Sequence, residues 1–361
     1  MPTPAASPVV MPGRLADPDP GVPVIAIGGS AGGIEALRVL VESLPADLDA
    51  AVLVVVHQPL RAHSGLQQVL QAVSLLPVSF AADGERPRPG RIYVATPDRH
   101  LVLKDGMLHL TSAPRECHVR PAVNVLFRSV ALALGRRAAG VVLSGTLDDG
   151  TAGLWAIKDH GGAAYVQDPD EALHPSMPQS AIEHVAVDGV GPVEDVAREL
   201  ATWAARVDRT AVSAASAQEA LHRYEVGVAA GEKSSPAQLF ALAGPSRFAC
   251  PECHGTLAEI HEGPIVRFRC HTGHAYSLSV LLERLGVASE DQLWSAMRAM
   301  EEKQMLLAWM ETHVAGGKHA ANAAAVMQAV EDLRALAQSQ AAGRDRDAAP
   351  EMPERPGRAA G

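Results

Sequence analysis

The chain has 361 residues, about two ordinary domains, and is 47% hydrophobic and 20% charged, which is enough apolar content for a sizeable core and rules out a wholly disordered chain. Its net charge of −10 argues against a general nucleic-acid binder, because such proteins carry a basic balance or stripe. Aromatic residues at 4%, beside abundant Ala and Gly, fit an α/β protein better than an all-β sandwich.

Residues 1–21 carry six prolines and little apolar periodicity and read as a flexible tail. No basic start with an apolar core marks a secretory signal, and no apolar run reaches membrane-spanning length. The expected compartment is the cytoplasm. Val24 to Ile27 forms a short apolar strand that ends in Gly28-Gly29-Ser30-Ala31-Gly32-Gly33. Ile34, Leu37, Leu40, Val41 and Leu44 then recur at helical spacing, and Pro45 stops the helix. Ala51 to Val56 is apolar at every position, the pattern of a parallel strand buried on both faces.

Arg91 to Ala95 reads as another strand, and 100–103 with 107–110 as a hairpin about Lys104-Asp105-Gly106. Helical spacing spans 123–134, a buried strand 140–144, a helix 151–160 and a strand 163–166. This alternation predicts a doubly wound, mostly parallel, Rossmann-like three-layer sheet over residues 22–205. Residues 206–246, rich in Ala and Ser, read as a partly helical linker. A compact Cys/His module follows at 247–280, a helical hairpin at 281–340 and a polar, disordered tail at 341–361.

Ser30, His57 and Asp149 each stand just beyond an apolar strand. In an open parallel sheet the ligand crevice lies outside the carboxyl ends of the strands, so the three side chains should converge. A serine can attack, an imidazole take its proton, and a carboxylate orient the imidazole. Free N–H groups at the start of the first helix could hold an oxyanion. The bland readings are a dinucleotide cradle, a structural histidine and a punctuating Asp-Asp-Gly turn. Against the cradle, Ser30 stands in place of glycine at the third motif position and His57 stands where an acidic residue would bind ribose. An ordinary α/β-hydrolase would run Ser, acid, His, whereas here the order is Ser, His, Asp.

Cys250-x2-Cys253-x16-Cys270-x3-His274 has the spacing of a tetrahedral zinc site, with His271 as an alternative fourth ligand. Four protein ligands leave no open position, so such a zinc is structural, and no cofactor is expected for catalysis. Four cysteines in all do not make a disulfide scaffold. The helices of 281–340 read as a partner-docking hairpin, a dimer surface or packing against the catalytic domain, and amphipathic Ala-rich helices favour packing.

Segment 24–187 resembles the catalytic domain of the chemotaxis protein-glutamate methylesterases of CheB type. The resemblance rests on Ile25 to Gly33, Val56-His57-Gln58-Pro59, Asp83-Gly84-Glu85 and Pro89 to Ala95, then on Arg120 to Phe127, Gly140 to Gly153 and Ser176 to Ile182, in family order. It implies hydrolysis of glutamate methyl esters on chemoreceptors to glutamate and methanol, and deamidation of receptor glutamines. It implies Ser30 as nucleophile, His57 as base and Asp149, which stands directly before the glycine, as acid, with the Thr146 N–H as an oxyanion donor. The partner would be a methylated chemoreceptor or related signalling protein, with no nucleic acid and no membrane contact except through the receptor.

The chain departs from the family pattern at Ala31, at Gly145 to Gly150 and at Val119 to Asn124, where the family has Ser-Thr-Gly-Gly, Gly-Met-Gly-x-Asp-Gly and His-Arg-Pro-Ser-Val-Asp. Family members usually carry an N-terminal receiver domain, yet about 21 residues precede the sheet here, so gating by phosphorylation within this chain is not expected. The Cys/His stretch is similar to the zinc-ribbon-like tail of some stand-alone relatives. A weakly catalytic signalling scaffold and a small-molecule carboxyl esterase are the competing functions.

Overall fold

The computed structural model describes residues 21–57, 65–210, 216–233, 235–313 and 320–347. Residues 1–20 of the expected tail, and Gln58 and Pro59 of the second motif, lie outside them.

A seven-stranded sheet has the order β3-β4-β2-β1-β7-β8-β9. Its strands are β1 (Val24–Gly29), β2 (Ala51–Val56), β3 (Val78–Phe80), β4 (Arg91–Val94), β7 (Ala138–Val142), β8 (Ala163–Gln167) and β9 (Gly189–Gly191). Every neighbouring pair is parallel. β1 and β2 are buried at all positions because helices cover both faces. Ile25, Ile27, Val52 and Val54 pack with α1 (Gly33–Ser43), α2 (Gly65–Val73) and α6 (Val193–Arg206). Val24, Ala26, Leu53 and Val55 pack on the other face with α3 (Val123–Leu134), α4 (Thr151–Asp159) and α5 (Ser176–His184). The period of two along each strand thus divides one apolar run between two cores. The chain winds outward from β1 through β2, then returns to the other side of β1 through β7. That reversal makes β1 the switch point of the sheet. The hairpin β5 (His100–Lys104) and β6 (Met107–Thr111) stands apart as a two-stranded ribbon.

The expected strand at 140–144 lies two residues earlier as β7 (Ala138–Val142). A larger difference concerns residues 206–246. They contain α7 (Glu219–Ala229) and α8 (Pro236–Leu242), and α7 is buried at Leu221, His222, Tyr224, Glu225 and Val226. Its His222 and Glu225 are internal, which a linker pattern does not show. A four-stranded antiparallel sheet follows, with β10 (Pro245–Ala249), β11 (Thr256–Glu262), β12 (Ile265–Cys270) and β13 (Ala275–Ser277). The described residues up to Ser279 form one compact unit, so the Cys/His module is not a separate body.

This unit is joined by a buried ion cluster. Glu116, Arg128, Glu225, Glu262, Arg267 and Arg269 are each at most 3% exposed. Arg128 on α3 donates to both oxygens of Glu116, at 3.1 and 2.8 Å. Arg269 on β12 donates to Glu116 at 2.7 Å and to Glu225 at 2.7 Å. Arg267 spans Glu225 and Glu262, with Nη2 to Glu225 at 2.5 Å and Nε to Glu262 at 2.5 Å. Burial alone would raise the Glu225 carboxyl, but Arg128, Arg267 and Arg269 hold it well below the usual range.

The second unit begins at Val280. It holds most of α9 (Leu278–His313) and all of α10 (Ala320–Asp347), with an ion pair between Arg334 and Glu301 at 3.0 Å. α10 runs to Asp347, so the first seven residues of the expected tail 341–361 are helical, and 348–361 lie outside the described residues.

Removing one member of a buried ion pair strands its partners in a low dielectric, at about 3–5 kcal/mol. Glu225→Ala is therefore expected to lower the urea-unfolding free energy by about that much. Glu35→Ala, which breaks the exposed Arg38 pair on α1, is expected to leave it nearly unchanged.

Candidate active site

β1 ends at Gly29, and the chain turns sharply so that α1 can begin at Gly33. The turn is possible because Gly32 takes φ 73°, a left-handed value that glycine adopts without steric cost. Ser30 is the residue presented by this turn. Its N–H donates to the Ser144 carbonyl at 2.9 Å, and its own carbonyl accepts from the Gly33 N–H at 2.9 Å. Ser144 holds the turn from the far side: its hydroxyl donates to the Ala31 carbonyl at 2.9 Å, and its N–H donates to Gln167 at 2.8 Å.

His57 follows β2, and its backbone N–H donates to the Gly29 carbonyl at 3.1 Å. Its Nδ1 lies 3.1 Å from the Ser30 hydroxyl and its Nε2 lies 2.9 Å from Asp149 Oδ2. In the working tautomer, the Ser30 hydroxyl donates to Nδ1 and the Nε2–H donates to the carboxylate. This ring is turned relative to the serine-protease arrangement, where Nε2 faces the serine, but one nitrogen still accepts while the other donates.

Asp149 is 3% exposed and is held by a helix start. α3 has no capping side chain of its own at Ala122. Asp149 supplies it from another element: Oδ2 accepts from the Val123 N–H at 2.7 Å and Oδ1 from the Asn124 N–H at 3.0 Å. Asn124 returns the arrangement, because its Oδ1 accepts from Gly150 at 3.1 Å and Gly153 at 2.7 Å at the start of α4. Two helices are thus capped across each other, and the acid is fixed in rotation with its charge at the favourable end of a helix dipole.

The 145–146 segment lies against Ser30. A Cβ on Gly145 would come within 2.8 Å of the Ser30 Cβ, so glycine there is what lets the segment approach. Among the described residues no backbone bond uses the N–H of Ala31 or Thr146. Ala31 follows Ser30 directly and Thr146 follows Gly145, so both amides belong to the two segments that meet at the serine. Base, acid, hydroxyl and free amides together can carry out acyl transfer.

Residues 25–200 match the CheB methylesterase family. Residues 25–200 are a CheB methylesterase domain. A protein-glutamate methylesterase/protein-glutamine glutaminase of Anaeromyxobacter dehalogenans is 41% identical over 50% of this chain and 52% of its own length. One of Geobacter metallireducens is 36% identical over 50% of each. The crystal structure of the Thermotoga maritima CheB methylesterase catalytic domain is 32% identical, with TM-score 0.49, covering 50% of this chain and 98% of that chain. The chain spans about half the length of the curated relatives it matches.

Within the CheB domain, the departure at Asn124 has a physical reading. An amide oxygen keeps the acceptor that caps α4 and places no second negative charge beside Asp149. Sequence reasoning missed Asn124, Ser144 and Gln167 as scaffold of the site. Their partners lie 23 to 113 residues away, and no local pattern signals such contacts.

Outside the CheB domain, Cys250, Cys253, Cys270 and His274 bring their ligand atoms within 4.8 Å of one another. Cys253 and Cys270 sulfurs are 3.6 Å apart, and His274 Nδ1 is 3.7 Å from Cys250 and 3.6 Å from Cys270. A tetrahedral zinc with Zn–S about 2.3 Å has ligand edges of about 3.5–3.8 Å, so the four fit it. His274 Nε2 faces Glu252 at 3.3 Å, the carboxylate brace usual behind a metal-bound imidazole. Among the described residues His271 is not in this group.

His100 on β5 supports the approach to α3. Its Nε2 donates to the Pro114 carbonyl at 3.0 Å, and its Nδ1 accepts from Ala122 at 3.3 Å. Burial pushes its pKa down to about 4. Between about pH 6.5, the unfolded value, and about 4, the unfolded chain therefore binds a proton that the folded chain refuses. This group's contribution is complete above about pH 6.5 and is lost on acidification. Urea unfolding at pH 7 and pH 5 is expected to show a fall in stability that is smaller in His100→Gln.

Proposed function

We propose that this chain is a protein-glutamate O-methylesterase. The observation that carries the reading is the Ser30–His57–Asp149 relay at the switch point of the sheet, with Ser30 3.1 Å from Nδ1 and Asp149 2.9 Å from Nε2. The names of the relatives supply the substrate class.

Ser30 Oγ attacks the ester carbonyl as its proton passes to His57 Nδ1. The carbonyl oxygen takes the electron pair and is held by the Ala31 and Thr146 N–H groups. Asp149 supports the positive imidazole without itself taking the proton. Collapse breaks the carbon–methoxy bond, and His57 returns the proton to the leaving oxygen, releasing methanol. Water, deprotonated by His57, then cleaves the acyl-serine to give glutamate and free Ser30. With a glutamine side chain, the same steps release ammonia.

Ile34 at 40%, Leu147 at 42% and Leu173 at 74% exposure surround the serine turn. An apolar, open rim suits a protein surface, such as a receptor helix, better than a small ester. The partner is a methylated chemoreceptor or related signalling protein, met in the cytoplasm. Among the described residues no helix is long and apolar enough to cross a membrane. Cys250, Cys253, Cys270 and His274 would hold one zinc, which would tie the β10–β13 sheet together and take no part in the reaction.

Methanol release from membranes bearing methylated receptors tests the esterase. Ser30→Ala is expected to lose at least about 10⁴-fold in kcat, and Asp149→Asn about 10⁴-fold. Release unaffected by Ser30→Ala would sink the reading. The metal is tested separately by elemental analysis. One zinc per chain, lost in Cys253→Ser together with a lower melting temperature, is the expected result.

A further inference from the structure

We propose that Asp148 is a positioning residue whose carboxylate, gripped by the hydroxyls of Ser277 and Ser279, ties the turn carrying Asp149 to the β10–β13 module. This inference rests on the esterase reading. The Ser277 hydroxyl donates to Asp148 Oδ1 at 2.7 Å and the Ser279 hydroxyl to Oδ2 at 2.6 Å. The two hydroxyls are 3.1 Å apart and so present a two-pronged donor to one carboxylate.

The turn needs such an anchor. Leu147 has φ 62°, a left-handed value that costs a leucine strain and persists only where the surroundings impose it. The start of the turn is fixed by the Gly145 N–H on the His174 carbonyl at 2.9 Å. Its end is fixed by Asn124 on the Gly150 N–H at 3.1 Å. Thr146 and Leu147 between them are exposed. Beneath Asp148 lies a cavity of about 160 Å³, lined by Cys117, Thr151, His184, Tyr276 and Ser277 among others. The middle of the turn is held by the Thr151 N–H on the Asp148 carbonyl at 3.1 Å and, on its side-chain face, by the two hydroxyls on the Asp148 carboxylate. Thr146, which offers one of the oxyanion amides, stands two residues before it.

The other end of the clamp is rigid. Ser277 closes β13, which pairs with β12 at Arg267 and Arg269, both members of the buried ion cluster. The Ala275 carbonyl accepts from the Cys117 N–H at 2.8 Å. A shift of β13 is thus passed to Asp149 and Thr146 through one carboxylate. Misplacement of a reacting group by about 1 Å can cost about 100-fold in rate.

The test compares wild type, the double variant Ser277→Ala/Ser279→Ala, Asp148→Ala, Asp148→Asn and the triple alanine variant. Two rates are read: labelling of Ser30 by a fluorophosphonate, which needs no protein substrate, and kcat and KM for methanol release. Melting temperature and zinc content are followed alongside. The double variant and Asp148→Ala are expected to fall about 5- to 50-fold in both labelling and kcat, with KM within about twofold and zinc content unchanged. The triple variant should fall no further than Asp148→Ala, because all remove one clamp. Asp148→Asn, which can still bond both hydroxyls, should stay near wild type. Unchanged labelling, even with a lowered melting temperature, would overturn the clamp while leaving the esterase standing. Losses that add in the triple variant would overturn it as well. A wild type in which Ser30 is not labelled and no methanol is released would overturn the esterase reading and this inference together.

Discussion

A charged side chain taken out of water must find its counter-charge inside the protein. Glu116, Arg128, Glu225, Glu262, Arg267 and Arg269 form a neutral set of three carboxylates and three guanidiniums, all at most 3% exposed. Their positions span 154 residues of chain, from the loop before α3 through α7 to β11 and β12. None of these charges has an acceptable home unless the others are present. Such a cluster adds little net stability over a well-packed apolar core, but it restricts which arrangements can exist. The loop before α3, α3, α7 and the Cys/His sheet therefore meet in one way, and the module is part of the fold that holds Ser30.

That constraint sets what surrounds the candidate site. The parallel sheet alone brings Ser30, His57 and Asp149 to the ends of β1, β2 and β7. It does not fix the rotation of the acid, which follows from the reciprocal capping of α3 and α4 by Asp149 and Asn124. Each helix start has amides without intrahelical partners, and each is served by a side chain from the other helix. The geometry of the relay is thus tied to the stability of two helices.

The legible part of this molecule is the part written in local patterns. β1 and β2 are apolar at every position because both faces are buried, and α3 shows its helical spacing from Val123 to Leu134. The serine turn, the histidine and the acid were readable because each adjoins such a strand. The Cys/His spacing was readable because its two halves are short turns. α2, α5 and α6 passed unread, the first two of them nine residues long and α6 with its apolar positions broken by Glu and Arg. The segment around α7 misled for a clearer reason. His222 and Glu225 look like surface residues, and both are 0% exposed. A charge is read as solvated until its partner is known, and here the partners lie 40 to 97 residues away.

Asp148 and Asp149 show the same logic at the smallest scale. Two adjacent carboxylates repel, and each raises the other's cost of ionisation. The turn separates them by giving each its own donors. Asp149 faces backbone amides and an imidazole. Asp148 faces away, where burial pushes its carboxyl up, the Ser279 and Ser277 hydroxyls pull it down, and Asp149 adds to the upward push. Because one side chain points to the relay and its neighbour to the module, the strained Leu147 between α4 and β7 is held from both sides. The capping of α3 fixes the Asp149 carboxylate from the relay side, and the two serine hydroxyls fix its neighbour from the module side, so the turn is gripped at both of its acidic residues.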